Sequence, residues 1–223
     1  MPDKLRAETL GLRIGGTWIV RGVDLAVRRA ETLAVVGPSG AGKSTLLRLF
    51  DRLEEPTEGT VYLDGTDYRT IPPTELRTRI GMVPQDAALR DGTVAENVGI
   101  GPRLRDEPVD EARIADLLDR VDMAGYGDRP VADLSGGEAQ RVAIARTVMV
   151  DPEVLLLDEP TASLDSDAEA RVEALLSDLL AAGDRTAVLV THDASQAERL
   201  ADRVARLEDG TVRAVGRPGE VIA

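Results

Sequence analysis

The stretch Gly37-Pro38-Ser39-Gly40-Ala41-Gly42-Lys43-Ser44-Thr45 decides the fold of this chain. It follows an apolar run at residues 32–36 and precedes a helical pattern at residues 46–53. Glycines in such a turn let successive backbone N–H groups and the helix N-terminus face a polyphosphate. Lys43 would reach the β- and γ-phosphates, and the Ser44 hydroxyl would complete a Mg²⁺ shell. The order of strand, loop and helix therefore predicts a phosphate-binding loop rather than an ordinary glycine-rich turn.

Short apolar runs alternate with helical patterns along the chain, which is typical of an α/β fold with a largely parallel sheet. The first and last strands are expected to be antiparallel. The predicted strands lie at residues 17–27, 32–36, 60–64, 81–84, 153–157, 185–191, 203–207 and 211–215. Apolar stripes predict helices at residues 112–121 and 172–180. Residues 86–150 interrupt the alternation with loops and helices, and we interpret them as a helical lobe inserted into the α/β core.

Composition excludes several classes of function. The formal net charge is −13 and aromatic residues make up 2% of the chain, which argues against nucleic acid as a partner. The chain has no cysteine, so disulfides, thiolate metal sites and thiol catalysis are excluded. The charged opening is not that of a signal peptide, and we expect a cytoplasmic location. Arg makes up 25 of the 27 basic residues, and salt adaptation and genome composition explain this equally well.

Two adjacent carboxylates end one of the predicted strands. Because side chains alternate along a strand, Asp158 can point toward a metal ion and Glu159 toward the γ-phosphate. Glu159 would then be the base that polarises the attacking water. His192, the only histidine, follows another strand to the same sheet edge, so we expect it to contact the γ-phosphate. Gln85 follows the strand at residues 81–84, where it could sense metal or water.

A second glycine-rich segment, Leu134-Ser135-Gly136-Gly137-Glu138-Ala139-Gln140, opens a helix predicted at residues 138–150. Ser135 is a natural N-cap, and the two glycines would leave bare N–H groups at the positive end of the helix. The segment is thus an anion site without Lys or metal ligands. A second copy of the chain could place it against the nucleotide of the first.

These motifs, in this order, resemble the ATP-binding subunits of ATP-binding cassette (ABC) transporters over nearly the whole chain. The resemblance extends to short bacterial-type cassettes such as those linked to phosphate uptake, iron export and aluminium tolerance. It identifies residues 37–45 as the Walker A loop, Gln85 as the Q-loop and residues 134–140 as the signature. It also identifies residues 155–159 as the Walker B strand, Ser163-Leu164-Asp165 as the D-loop and His192 as the switch histidine.

The resemblance implies one ABC ATPase domain over residues 1–223. Its P-loop NTPase core and antiparallel β subdomain would occupy residues 1–85 and 151–223, with the helical lobe at residues 86–150 inserted between them. In the family, two cassettes sandwich two ATP molecules with Mg²⁺, head to tail, and pass the resulting motion to membrane subunits. The implied partners are a second copy of this chain and integral membrane permease subunits that dock near residues 86–97, at the cytoplasmic face of the membrane.

The resemblance also assigns the ligands of each site. Gln85 would join Ser44 and Asp158 at Mg²⁺, while Ser135, Gly136, Gly137 and Asp165 would contact nucleotide across the pair. The chain departs from the family where an aromatic residue often stacks on adenine, since Ile14, or Arg13, stands there. Trp18 is expected to be a partly buried strand residue.

Two other functions compete with transport. A cytosolic ABC-type ATPase that drives assembly or remodelling would share every motif, and copurification with a multi-spanning membrane protein distinguishes the two. A P-loop kinase for small molecules would have the phosphate loop but no use for residues 134–140, so the signature argues against it.

Overall fold

The computed structural model describes residues 3–162, 164–181 and 185–222. Two β-sheets form its centre. The strands are β1 Asp3–Ile14, β2 Thr17–Arg28, β3 Thr32–Val36, β4 Glu58–Leu63, β5 Thr66–Asp67, β6 Ile80–Val83, β7 Val154–Asp158, β8 Thr186–Val190, β9 Arg203–Glu208 and β10 Thr211–Gly216. The helices are α1 Lys43–Phe50, α2 Pro73–Arg79, α3 Val94–Val98, α4 Ile100–Leu104, α5 Glu111–Arg120, α6 Gly136–Val148, α7 Ser166–Ala181, α8 Ala194–Leu200 and α9 Pro218–Val221, with 3-10 turns at Tyr68–Thr70 and Val131–Asp133.

The larger sheet has six strands in the order β10-β9-β3-β8-β7-β6. All neighbouring pairs are parallel except β9 with β10, which form the predicted hairpin. The smaller sheet has the order β2-β1-β4-β5 and is antiparallel. The structure thus confirms the α/β class, with a mostly parallel sheet and antiparallel early strands.

The six-stranded sheet separates two apolar cores, because side chains alternate along each buried strand. On β7, Leu156 packs with α1 and the four-stranded sheet. Its neighbours Leu155 and Leu157 point to the other face and pack with α3, α5, α6 and α7. Helix α6 therefore belongs to the predicted helical lobe by sequence but packs directly on the sheet through the second core.

Several predicted boundaries shift. Helix α1 begins at Lys43 and ends at Phe50, whereas the apolar pattern placed it at residues 46–53. Helix α6 begins at Gly136 rather than at residue 138, because the capping serine is followed at once by the first helical turn. The strand before Gln85 ends at Val83, so Gln85 lies two residues beyond it.

Among residues 3–162, 164–181 and 185–222, no helix combines the length and the apolar character needed to cross a bilayer.

Candidate functional site

Residues 37–45 form a tight loop between β3 and α1, and its glycines are required by the backbone. Gly42 caps α1 at φ 96° and Gly40 has φ 79°. A Cβ atom at Gly42 would lie 2.5 Å from the Ile19 carbonyl oxygen, and one at Gly37 would lie 2.0 Å from that of Leu207. No side chain fits at such distances. The loop is therefore held close to β2 and β9, with the N-terminus of α1 directly behind it.

Lys43 is buried and its ammonium group lies over this loop. Its Nζ donates to the carbonyl oxygens of Gly37 at 3.0 Å and Pro38 at 3.1 Å, and lies 3.7 Å from Glu159 Oε1. Only 5% of Lys43 is exposed. The cation is thus placed between the loop and the carboxylate of Glu159, which follows β7.

Asp158 and Ser44 form a second contact at the same edge of the sheet. The Ser44 Oγ donates to Asp158 Oδ1 at 2.8 Å. Asp158 is 3% exposed, and burial raises the pKa of its carboxyl group above the usual value, although the Ser44 hydrogen bond opposes the shift. Arg48 and Lys43 also lower this pKa. The half-buried Ser44 hydroxyl and the buried Asp158 carboxylate are oxygen ligands of the kind that Mg²⁺ prefers, so the residues present fit this ion.

Glu159 lies next to Asp158 but outside the strand. Its φ of 43° is in the left-handed region, and its N–H donates to the Val190 carbonyl oxygen at 3.0 Å. Simple strand alternation was therefore the wrong reason for the different directions of the two acids, because a left-handed turn redirects Glu159. The Oε2 of Glu159 lies 3.0 Å from Nδ1 of His192. The structure brings Lys43, Asp158, Glu159 and His192 together as predicted.

Gln85 is exposed and lines a cleft that also contains Ser44 and Asp158. The backbone around it is fixed by α6. Gln140 Nε2 donates to the Pro84 carbonyl oxygen at 3.2 Å, and Arg146 donates to those of Ala87 and Ala88 at 2.9 and 3.0 Å. Sequence reasoning gave Arg146 no role. Its signal in the sequence was a basic residue that follows the apolar run at residues 142–145. Burial lowers the pKa of Arg146.

Ser135 caps α6 as predicted. Its Oγ accepts from the Glu138 N–H at 3.3 Å, and Glu138 Oε2 accepts from the Ser135 N–H at 2.8 Å, which lowers the pKa of Glu138. Gly136 is exposed, but Gly137 is buried, and a Cβ atom there would lie 2.7 Å from Ala168 Cβ. The absence of a side chain at Gly137 therefore allows α6 to approach α7. That the N–H groups of Gly136 and Gly137 are bare stays a prediction.

The start of α6 at Ser135, Gly136 and Gly137, called here the helix tip, is not bonded to the phosphate-binding loop of its own chain. In the part of the chain that the structure describes, no hydrogen bond or ion pair joins Ser135, Gly136 or Gly137 to residues 37–45. Asp165 is occupied as a helix cap, since its Oδ1 accepts from the N–H groups of Asp167 and Ala168. Ser163, assigned to the D-loop with it, lies outside the described residues.

Ile14 ends β1 and is 56% exposed. Trp18 is half-buried in β2, as expected, and the guanidinium groups of Arg13 and Arg21 lie 5.7 and 5.9 Å from the centre of its ring. The next residue, Ile19, contacts the backbone beside Gly42. This end of β1 and β2 therefore borders the phosphate-binding loop.

Comparison with known proteins agrees with this geometry. A family model described as ABC transporter matches residues 20–162. The chain belongs to the ABC transporter family. It is 44% identical to Protein STAR1 of Oryza sativa subsp. japonica over 98% of this chain and 63% of that protein. It is 45% identical to the phosphate import ATP-binding protein PstB 2 of Natronomonas pharaonis, over 90% of this chain and 75% of that protein. The ABC chain thus spans a little under two thirds of the length of STAR1.

Solved ABC cassettes have the same fold. The ABC chain matches cbiO1 from Clostridium perfringens, part of the ABC transporter complex cbiONQ, with a TM-score of 0.87 and 31% identity over 100% of this chain and 91% of that one. It matches the cassette MJ0796, a dimer in a post-hydrolysis state bound to ADP and Pi, with a TM-score of 0.85 and 30% identity over 96% and 98% of the two chains. The predicted family and the P-loop NTPase fold are confirmed.

Proposed function

We propose that two copies of this chain bind and hydrolyse two Mg²⁺-ATP molecules head to tail, and that the pair drives solute transport through separate membrane subunits. The observation that carries the proposal is the convergence of five side chains at one sheet edge: Lys43, Ser44, Asp158, Glu159 and His192. Within the described residues, no hydrogen bond or ion pair joins them to the start of α6. The whole chain would act as one ATPase domain, with residues 86–150 as its inserted helical lobe.

Nucleotide binding would use the loop Gly37-Pro38-Ser39-Gly40-Ala41-Gly42-Lys43-Ser44-Thr45. Its N–H groups and the N-terminus of α1 favour phosphate oxygens, and Lys43 adds a charge-assisted contact to the β- and γ-phosphates. Ile14 would pack against adenine through its exposed aliphatic side chain in place of an aromatic ring. Apolar contact of this kind provides part of what a stacked ring would.

Ser44, Asp158 and Gln85 would hold Mg²⁺ beside the phosphates. The contact of Ser44 with the buried Asp158 supports this assignment, because a divalent cation offsets the cost of ionising a buried carboxylate. When bound, Mg²⁺ neutralises charge on the β- and γ-phosphate oxygens. Gln85 lines the same cleft, so its amide oxygen is available to the ion or to water.

Hydrolysis would be promoted by Glu159, which accepts a proton from water. The water oxygen then attacks the γ-phosphorus as the bond between this phosphorus and ADP breaks. Glu159 lies between Lys43 Nζ and His192 Nδ1, at 3.7 and 3.0 Å. His192 would contact the γ-phosphate while orienting Glu159. Each assignment follows from position at the carboxyl ends of β7 and β8, where ligands of parallel sheets bind.

The second copy would complete each site. Ser135, Gly136 and Gly137 form a capped helix start without a cation or metal ligand. In the described part of the chain, no hydrogen bond or ion pair joins them to the loop of their own chain. Helix N-termini bind anions, so the helix tip of one copy would close on the γ-phosphate held by the other. Asp165, which caps α7 next to Ala168, would lie in the same interface.

Residues 86–97 would dock a permease at the cytoplasmic face of the membrane. Arg146 anchors the start of this segment to α6, and Thr93 caps α3 through a capping box with Glu96. A displacement of residues 86–97 would thus be transmitted to α6 and to the helix tip at its N-terminus. The importer names of the relatives and the cbiONQ complex support transport over a role in assembly or remodelling.

The test has two arms. ATP turnover per chain should rise with protein concentration and vanish in a proven monomer, because each site lacks Ser135 and Gly137 of its twin. Turnover that is independent of concentration in a monomer would contradict the shared site. Expression in native membranes should copurify a multi-spanning protein, whereas copurification of a soluble assembly partner alone would favour the non-transport ATPase.

A further inference from the structure

Gln196 is a buried amide next to the candidate site, and none of the roles assigned above uses it. It is 1% exposed and lies in the first turn of α8, four residues after His192. Its Nε2 donates to Thr161 Oγ1 at 2.9 Å and to Glu173 Oε1 at 2.9 Å. Thr161 lies two residues after Glu159. The amide therefore joins the segment that follows Glu159 to the helix that follows His192.

Glu173, one of the two partners of Gln196, is held in place by an ion pair with Arg199. Arg199 donates to both carboxylate oxygens of Glu173, from Nε at 3.1 Å and from Nη2 at 2.8 and 2.9 Å. Such forked contacts hold a carboxylate in one orientation. Since Arg199 and Gln196 lie on one face of α8, the helix holds Glu173 of α7 at two points.

Both N–H groups of the amide are used, and a buried amide that loses its partners costs free energy. Thr161 and α8 therefore cannot separate without breaking the network. We propose that Gln196 is a positioning residue that holds the segment after Glu159 against the helix after His192. The contact between the side chains of Glu159 and His192 is thereby maintained during turnover. This inference rests on the proposed function.

The substitution Gln196→Glu tests the idea through pH. A carboxylic acid at this position can donate to Glu173 and accept from the Thr161 hydroxyl, so its neutral form replaces both contacts. Its ionised form faces Glu173, with Glu169 and Asp193 close by and Glu159 in the segment held by Thr161. Arg199, which pairs with Glu173, opposes this negative charge. Burial and like charge raise the pKa of such a group. The neutral form is thus the one that restores the network.

We expect the kcat of Gln196→Glu, divided by that of the wild type at the same pH, to fall about tenfold between pH 6 and pH 8.5, because small displacements of reacting groups cost large factors in rate. The ratio removes any pH effect that the two proteins share. The affinity for ATP, measured by titration, should stay within about twofold of wild type at both pH values, since the phosphate-binding loop is untouched.

Three variants complete the experiment. Ser195→Glu puts the same charge on an exposed neighbour in α8, and its kcat ratio should not change with pH. Gln196→Met keeps the length of the side chain without hydrogen bonds and should lower kcat at every pH. The double variant Gln196→Glu with Glu173→Gln exchanges amide and carboxylate, and it should recover the kcat lost at pH 8.5.

Several results would overturn the inference. One is a kcat ratio for Gln196→Glu that does not depend on pH, and another is a double variant no better than the single one. Equal losses of ATP affinity and kcat would indicate general damage to the fold instead of positioning. Failure of the proposed function looks different, because the wild type would then show no more turnover than Glu159→Gln, and both proposals would be wrong.

Discussion

The Nδ1 atom of His192 lies 3.0 Å from Oε2 of Glu159, although 33 residues separate them in the chain. Strands β7 and β8 are parallel neighbours, and their register opposes Asp158 to Val190. The chain leaves both strands at the same sheet edge within two residues of that pair. The left-handed turn at Glu159 then directs its carboxylate toward the imidazole.

Replacing Lys43 with Ala should weaken ATP binding about 10- to 100-fold, because it removes a charge-assisted contact to the phosphates. Titration calorimetry with Mg²⁺-ATP measures the change. Lys4→Ala is a control for loss of a buried lysine, since Lys4 pairs with Asp64 and Glu153 at a distance from the loop. Unchanged affinity in Lys43→Ala would contradict its assignment.

Replacing Glu159 with Gln should leave ATP affinity intact and lower kcat about 100-fold or more, as expected when a general base is lost. The amide keeps the shape of the side chain but cannot accept the proton. Single-turnover hydrolysis separates this effect from product release. Turnover at the wild-type rate would assign the base to another residue.

The substitution Gly42→Ala should cost more stability than Gly40→Ala. Both residues have positive φ, which costs an L-residue about 1–2 kcal/mol. A Cβ atom at Gly42 would also lie 2.5 Å from the Ile19 carbonyl oxygen, whereas one at Gly40 would have no heavy atom within 4 Å. Urea unfolding of the two variants compares them, and equal losses would show that the close approach to β2 carries no cost.

Asp51 should make stability depend on pH. It is buried at the end of α1, and burial raises its pKa from 3.8 to about 6, while the Leu53 N–H and Arg77 oppose the shift. A raised carboxyl pKa stabilises the fold fully below pH 3.8, and this contribution is lost as pH rises through about 6. Asp51→Asn should therefore unfold at higher urea than wild type at pH 7.5, by about 2–3 kcal/mol in unfolding free energy.

The control for Asp51→Asn is the same pair of proteins at pH 4.5, where the difference should shrink. Asn can still accept from the Leu53 N–H, so the local backbone is kept. A difference that does not change between the two pH values would show that Asp51 titrates normally.

The sequence predicted most of the site because its residues follow strand ends. Lys43, Asp158 and His192 were placed at one edge by motif and strand order alone. The sequence could not predict contacts made by side chains far apart in the chain, such as Gln196 with Glu173 or Arg146 with the Ala87 carbonyl oxygen. These depend on how helices pack on the sheet, which no local pattern specifies.

Strand β1 was missed for a different reason. It runs for 12 residues, but irregularities in its pairing with β2 shift the alternation of buried and exposed side chains. A pattern with period two is therefore broken within the strand. Helices α2 and α8, of seven residues each, are too short to show a helical period.

The central claim is that the tip of α6 in one copy closes the nucleotide site of another, and crosslinking tests it most directly. The chain has no cysteine, so Ser39→Cys and Gly136→Cys can be combined with Glu159→Gln and treated with a short bifunctional thiol reagent. The control pairs Ser39→Cys with Ser177→Cys, an exposed position on α7. We predict a crosslinked dimer that forms with Mg²⁺-ATP and not without nucleotide, and that is absent from the control. A protein saturated with nucleotide that stays monomeric, or that crosslinks equally in the control, would contradict the claim.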